Sequence, residues 1–145
     1  MKKYLIPIFL FLIFNTLATY SQSVFGKWYT VDDQSGIKKS IVEIYKAGNK
    51  VEGKITKILK ESKRNMRCKK CKGQMKNKKN EGLVILKNLE KDEDEYTNGQ
   101  ITDPENGKTY DAKIWVNPEQ PNELKVRGYV AFFYRTQTWQ RVTNK

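Results

Sequence analysis

The sequence predicts an all-β protein, an eight-stranded antiparallel up-and-down β-barrel. Eight short runs of apolar or alternating residues are separated by turn residues, and no stretch keeps a helical period over three turns. Gly26-Lys27-Trp28 opens this series, and Trp139-Gln140-Arg141 closes it. An arginine from the last strand can cover a tryptophan on the first only if the sheet curls round to meet itself. The two ends of the series therefore favour a closed barrel over an open sheet.

The strands are expected at eight intervals, with turns rich in Asp, Asn, Gly and Pro between them. In chain order the intervals are 26–30, 40–46, 51–59, 83–89, 96–102, 110–116, 123–130 and 136–142. Gly53, Gly99 and Gly128 fall inside strands, where glycine allows the sharp coiling that barrel closure needs. Eight strands enclose an interior that is either filled by side chains or able to hold one small ligand.

Residues 1–21 have the pattern of a secretory signal peptide. Met1-Lys2-Lys3 is basic, residues 4–20 are almost uniformly apolar, and small polar residues follow. We expect cleavage after Ser21, or else after Ala18, which would leave residues 22–145 as a single domain. No later apolar run reaches the ~18 residues of a membrane span. The sequence therefore predicts an exported protein, periplasmic or secreted, with no transmembrane span after processing.

The positive charge is concentrated in one segment. Removal of Lys2 and Lys3 lowers the formal net charge from +12 to +10. Residues 60–79, called here the basic segment, hold ten basic residues and one acidic residue, a net charge of +9. The rest of the expected domain is close to neutral. A local charge on an exported protein argues against a nucleic-acid partner.

Motifs along the whole expected domain resemble the exported bacterial family called domain of unknown function 2147. They are Gly26-x-Trp28, Ser40-Ile41-Val42-Glu43-Ile44, Gly53-Lys54-Ile55, Cys68-x-x-Cys71-x-Gly73, Gly82-Leu83, Gly99-x-Ile101-x-Asp103-Pro104-x-x-Gly107-Lys108-x-Tyr110, Arg127-Gly128-Tyr129 and Thr136-Gln137-Thr138-Trp139-x-Arg141. The resemblance implies a compact lipocalin-like (calycin) barrel with no assigned activity. The chain departs from the pattern at Ala131, where a glycine is expected, and at Lys78-Lys79-Asn80, which replaces a more apolar approach to Gly82.

Cys68 and Cys71 are the only cysteines of the chain. In an exported protein we expect them to form a disulfide, because oxidising compartments allow such bonds to persist. The neighbouring basic residues leave a labile, redox-active bond as the alternative. A zinc site within one chain would need two more ligands, and the chain has no His and no further Cys. We therefore predict no metal and no cofactor.

The basic segment is a candidate anion site. The residues expected to form it are Lys63, Arg64, Arg67, Lys69, Lys70 and Lys72. They could bind phosphate, acidic polysaccharide or anionic lipid headgroups. The simpler alternative is a solvated loop. Because the segment connects the third and fourth strands, it would overhang one end of the barrel in either case.

The expected function follows from the residues of the barrel interior and from the absence of histidine. Tyr45, Tyr110, Ile114 and Val126 are the candidate cavity-lining residues, and Trp115 and Tyr129 should lie outside the barrel. Without histidine the commonest general base is absent, and no serine has a visible activating partner. We expect a monomeric, non-catalytic module that binds a small apolar or amphipathic ligand. The alternative is a solid-cored envelope protein that docks on anionic lipid or polysaccharide through its basic segment.

Overall fold

The computed structural model describes residues 23–143 and shows a closed antiparallel barrel in which the strands pair in chain order. The strands are β1 Gly26–Val31, β2 Lys38–Ala47, β3 Lys50–Ile58, β4 Val84–Asp92, β5 Glu95–Thr102, β6 Thr109–Asn117, β7 Gln120–Val130 and β8 Phe133–Arg141. Two short 3-10 helices, Glu61–Lys63 and Gly73–Met75, lie between β3 and β4. The predicted fold class is confirmed. The predicted signal peptide, residues 1–21, lies outside the described residues.

Alternation along the strands fills the interior with side chains. On β2 the inward residues Ser40, Val42 and Ile44 are buried while their neighbours are partly exposed. Trp28 and Trp139 are 0% and 1% exposed, although they are the largest inward side chains. The other buried apolar residues are Val24, Val51, Ile55, Cys68, Cys71, Leu83, Ile85, Leu86, Leu89, Ala112, Ile114, Val116, Leu124 and Val126. Buried side chains occur along the whole length of the barrel, so the interior is a packed core.

The up-and-down order gives the barrel two ends with different connections. The segment 23–25 and the β2–β3, β4–β5 and β6–β7 turns lie at one end, called here the N-terminal end. The β1–β2, β3–β4, β5–β6 and β7–β8 connections lie at the other, called the loop end. The basic segment, which joins β3 to β4, therefore belongs to the loop end.

Arg141 closes the barrel at the N-terminal end. Trp28 and Arg141 are direct partners in the β1–β8 ladder, and the guanidinium carbon lies 4.1 Å from the centre of the indole ring. The guanidinium also donates hydrogen bonds to the carbonyls of Ser23, Phe25 and Pro121. The indole Nε1 donates to the carbonyl of Val24 at 2.8 Å. Burial lowers the pKa of Arg141, as expected for a cation partly withdrawn from water.

The backbone conformation of Gly26 explains why glycine is needed at the start of β1. A Cβ at Gly26 would lie 3.7 Å from Nη1 of Arg141, an ordinary contact distance. Its φ of +113°, however, is a conformation that residues with side chains rarely adopt. Glycine is therefore required here by the entry of the chain into β1, rather than by the space that Arg141 occupies.

The β3–β4 connection closes the loop end. Cys68 and Cys71 form a disulfide, and both are buried in the hydrophobic core. The connection rests on the β5–β6 turn, where the Cys68 sulfur lies 3.5 Å from the carbonyl oxygen of Pro104. Gly107 of the same turn has a φ of +71°, and a Cβ there would collide with the backbone of Lys70 and Cys71. The disulfide thus fixes the β3–β4 connection over the loop end of the core. This connection is called here the plug.

The β7–β8 hairpin is longer than the sequence predicts. Residues 131–135 were expected to form a loop, but strand pairing continues to Val130 and Phe133 and leaves a two-residue turn. Ala131 adopts a φ of +51° in this turn. The glycine that the family pattern has at this position suits that conformation. The aromatic residues 132–134 therefore stand at the tip of a β-hairpin.

Replacement of Arg141 by alanine should lower the free energy of unfolding by ~1–2 kcal/mol, because the cation–π contact and the packing of the aliphatic stem over Trp28 are lost. Urea unfolding monitored by tryptophan fluorescence measures the change. Arg135→Ala is the control, since Arg135 is 67% exposed and pairs only at the surface. Equal urea midpoints for the two variants would contradict the claim that Arg141 stabilises the closed barrel.

Gly107→Ala and Gly36→Ala form a matched pair. Their φ values are +71° and +70°, so both substitutions should cost about 1 kcal/mol for an unfavourable backbone conformation. Only Gly107 faces the backbone of the β3–β4 connection, since nothing lies within 4 Å of a Cβ at Gly36. We expect Gly107→Ala to be the more destabilising in urea unfolding, by about 1 kcal/mol or more. Equal losses would mean that the plug does not pack on the β5–β6 turn.

Candidate functional site

The predicted cavity-lining residues do not surround one cavity. Ile114 and Val126 face inward, but they are 0% and 2% exposed and lie within the packed core. Tyr110 lies on the inward-facing alternation of β6 but is only partly buried, and its hydroxyl accepts a 3.4 Å hydrogen bond from the amide of Asn106. It belongs to the loop end. The aliphatic residues expected to line a void are instead in close contact with other side chains.

Tyr45 lies on the outer face, so its placement in the cavity is wrong. Its hydroxyl donates a 3.0 Å hydrogen bond to Glu52, and the amine of Lys54 lies 5.7 Å from its ring centre. Burial raises the pKa of Tyr45 to about 12, with a further contribution from Glu52. The charged residue Glu43, two positions earlier on β2, has the same orientation. That alternation was the signal in the sequence that Tyr45 faces outward.

A cleft opens at the N-terminal end, with a volume of about 540 Å³. Its apolar lining comes from Val24, Phe25, Val51, Tyr96 and Val116. The rings of Phe25 and Tyr96 meet edge to face, with their centres 5.9 Å apart. The cleft is therefore a partly open mouth over the packed core, with apolar and polar residues in its walls and direct access to solvent.

Charged residues from two turns surround this cleft. Lys46 and Lys50 flank the β2–β3 turn, and Lys91, Glu93 and Asp94 flank or form the β4–β5 turn. Lys50 pairs with the carboxylate of Glu90. Within residues 23–143, Lys46 and Lys91 have no carboxylate within ion-pairing distance in the structure. These two amines can therefore meet a negatively charged group in the cleft.

The sequence did not reveal the cleft, because its residues come from turns far apart in the chain. Each turn alone has the composition of an ordinary solvated connection. Only the barrel topology brings the three turns and the segment 23–25 to one end. The placement of Phe25 directly before Gly26 was the one local signal, since an apolar residue precedes the strand entry.

The basic segment is exposed and mostly unpaired. Arg64 forms an ion pair with Glu61 at 3.6 Å and donates to the carbonyl of Ile58. Arg67 donates to the carbonyl of Asn77 at 2.8 Å. The remaining predicted anion-site residues have no ion pair in the part of the chain that the structure describes; they are Lys63, Lys69, Lys70 and Lys72. The segment thus presents amines to solvent on a framework that the disulfide anchors.

The basic segment and the cleft lie at opposite ends of the barrel. The β3–β4 connection closes the loop end, whereas the cleft opens at the N-terminal end. Any ligand in the cleft is held by other residues.

Within residues 23–143, no group of three or more His, Cys, Asp or Glu side chains has an arrangement suited to a metal ion. No helix in the same range has both the length and the apolar character needed to cross a membrane.

Comparison with known proteins identifies the family. Residues 26–141 match the family model described as "Uncharacterized protein conserved in bacteria (DUF2147)". The chain belongs to this family. The match covers every strand of the barrel, including the Trp28 and Arg141 pair. A search of curated proteins found no match to this DUF2147 chain.

A solved structure shares the fold of this DUF2147 protein. It is described as "Protein HP1028 from the human pathogen Helicobacter pylori belongs to the lipocalin family". The two share 22% sequence identity over 84% of each chain, with a TM-score of 0.71. At this identity the likeness shows the fold alone. The expected lipocalin-like barrel is therefore confirmed.

Proposed function

We propose that this protein is an exported, non-catalytic module that binds a small amphipathic, lipid-like molecule in the cleft at the N-terminal end. The observation that carries the proposal is the cleft itself, about 540 Å³, in which an apolar patch around Phe25 and Tyr96 lies beside charged residues. Those charged residues include the unpaired Lys46 and Lys91 as well as Glu93 and Asp94. Ligand sites commonly combine an apolar concavity with a few placed polar groups. A lipocalin-like barrel is typically a binding fold rather than a catalytic one.

The packed core limits the size and position of such a ligand. Ile114 and Leu124 are both 0% exposed, so a long acyl chain cannot pass down the barrel axis without displacing core side chains. A short apolar group against Phe25, Tyr96 and Val116 fits the open mouth. A negatively charged head would then lie near Lys46 or Lys91.

Export is part of this proposal and is supported by three observations. The disulfide between Cys68 and Cys71 suits an oxidising compartment, and the family is bacterial. The apolar segment at residues 4–20 has the pattern of a signal peptide. We propose a monomer in the periplasm or outside the cell.

A second candidate function is docking on anionic lipid or polysaccharide through the basic segment. The packed interior and the unpaired lysines of the loop end favour it. This function needs no cavity, and it uses the end of the barrel opposite to the cleft. The two functions are therefore compatible in one molecule and separable by experiment.

Binding of a dansyl-labelled fatty acid tests the cleft, with unlabelled decanoate as the competitor. We expect saturable binding that decanoate displaces. Lys46→Glu should weaken binding roughly three- to tenfold, because an attraction to the carboxylate becomes a repulsion at a solvent-exposed site. Lys57→Glu is the matched control, since Lys57 is an exposed residue of β3 outside the cleft.

Four outcomes decide the cleft proposal. A Lys46→Glu effect without a Lys57→Glu effect supports it, as does mass spectrometry that finds a co-purified amphiphile. Equal effects of both variants would show that only the net charge matters. No saturable binding would overturn the proposal and leave docking at the loop end as the remaining function.

A further inference from the structure

Apolar exposure is concentrated at one end of the barrel. Among residues 23–143, the large hydrophobic side chains that remain exposed are Ile37, Met66, Tyr129, Val130, Phe132, Phe133 and Tyr134. Ile37 belongs to the β1–β2 connection, Met66 to the β3–β4 connection, and the other five to the β7–β8 hairpin. All three connections lie at the loop end. A clustered apolar surface of this kind indicates an interaction site more strongly than scattered single residues do.

The hairpin tip is the centre of this apolar surface. Phe132 is 100% exposed and Phe133 is 77% exposed. The β1–β8 ladder contains only the pairs Trp28–Arg141 and Tyr29–Gln140, so the tip extends beyond the paired part of β1. The two phenylalanines therefore project from the rim of the barrel.

Several contacts hold the hairpin in this position. Arg127 lies 4.1 Å from the ring centre of Tyr134 and donates a 2.8 Å hydrogen bond to the hydroxyl of Thr136. Arg135 forms an ion pair with Asp33 at 2.7 Å and so joins β8 to the β1–β2 connection. A tip fixed in this way presents its aromatic rings without a large ordering cost on binding.

The same end of the barrel carries the positive charge. The basic segment has a net charge of +9, and most of its lysines are unpaired. Phenylalanine and tyrosine beside lysine and arginine form the combination that binds the boundary between the headgroups and acyl chains of an anionic bilayer. A protein partner would need complementary acidic pockets. A bilayer supplies negative charge and an apolar layer at one surface.

We propose that the loop end docks on an anionic lipid bilayer, with Phe132 and Phe133 inserted at the headgroup boundary and the basic segment against the lipid phosphates. This proposal rests on the second candidate function and gives it a partner and an insertion element. It is independent of ligand binding in the cleft.

Sedimentation with vesicles tests the proposal. We compare vesicles of phosphatidylcholine alone with vesicles of equal parts phosphatidylglycerol and phosphatidylcholine. The protein should bind the anionic vesicles only. Binding should weaken between ~50 and ~200 mM salt without being abolished, because salt screens the exposed amines but not the inserted rings.

Two pairs of variants separate insertion from charge. The double variant Phe132→Ser and Phe133→Ser should weaken vesicle binding about tenfold or more. It should also remove the binding that persists at ~200 mM salt. Thermal unfolding should be unchanged, because both side chains are exposed. The double variant Lys69→Glu and Lys72→Glu lowers the charge of the basic segment and should weaken the preference for phosphatidylglycerol several-fold. Lys27→Glu, an exposed residue at the other end of the barrel, should have little effect.

A tryptophan at the tip reports insertion directly. The emission of Phe132→Trp should shift to shorter wavelength on anionic vesicles and be quenched by brominated lipids. The control variant Lys27→Trp should show neither change. Loss of binding in the lysine variants with no effect of the phenylalanine variants would overturn insertion but preserve docking by charge.

Other results would overturn the bilayer as the partner. Failure to bind anionic vesicles at low salt would refute both docking and insertion. Equally tight binding to soluble alginate, unaffected by the phenylalanine variants, would point to an acidic polysaccharide. A dimer in solution that the phenylalanine variants convert to a monomer would show that the tip is a surface between two copies of this chain.

Discussion

The barrel depends on a short seam between its first and last strands. β1 and β8 share only two residue pairs, whereas the other neighbouring strands are paired more extensively. One of those pairs is Trp28 with Arg141, and the same guanidinium binds carbonyls of the segment 23–25 and of Pro121. The side chain of Arg141 thus connects β1 and β8 with the segment 23–25 and with the start of β7. Without this contact the sheet would be held closed mainly by its packed core.

Closure and packing together leave the two ends of the barrel as its most distinctive surfaces. Trp28, Trp139 and the aliphatic residues around them occupy the interior, and the disulfide-anchored β3–β4 connection covers the loop end. The ends differ in chemistry because the up-and-down order assigns each connection to one side. The N-terminal end has a concave mouth lined by apolar and charged residues. The loop end has a projecting aromatic hairpin and a dense group of amines. A small ligand suits the first surface, and an extended anionic surface suits the second.

The sequence was sufficient for features that local patterns encode. Strand intervals follow from alternation and turn residues, and Trp28 and Arg141 could be paired because they lie near the ends of the series. Features that depend on packing could not be predicted. Whether Ile114 and Val126 line a void or touch other side chains is decided by the volumes of residues from all eight strands. The tip of the β7–β8 hairpin was missed because Ala131 has a positive φ at a position where alanine gives no turn signal.

The central claim is that the interior is full and that a ligand binds at the N-terminal end. Methyl-detected nuclear magnetic resonance during a titration with decanoate tests it most directly. The account predicts that the largest shifts occur at Val24, Val51 and Val116, which line the cleft, while the methyl signals of Ile114, Leu124 and Val126 change little. The largest shifts at those three interior residues would show that the barrel opens to admit the ligand, and would contradict the account.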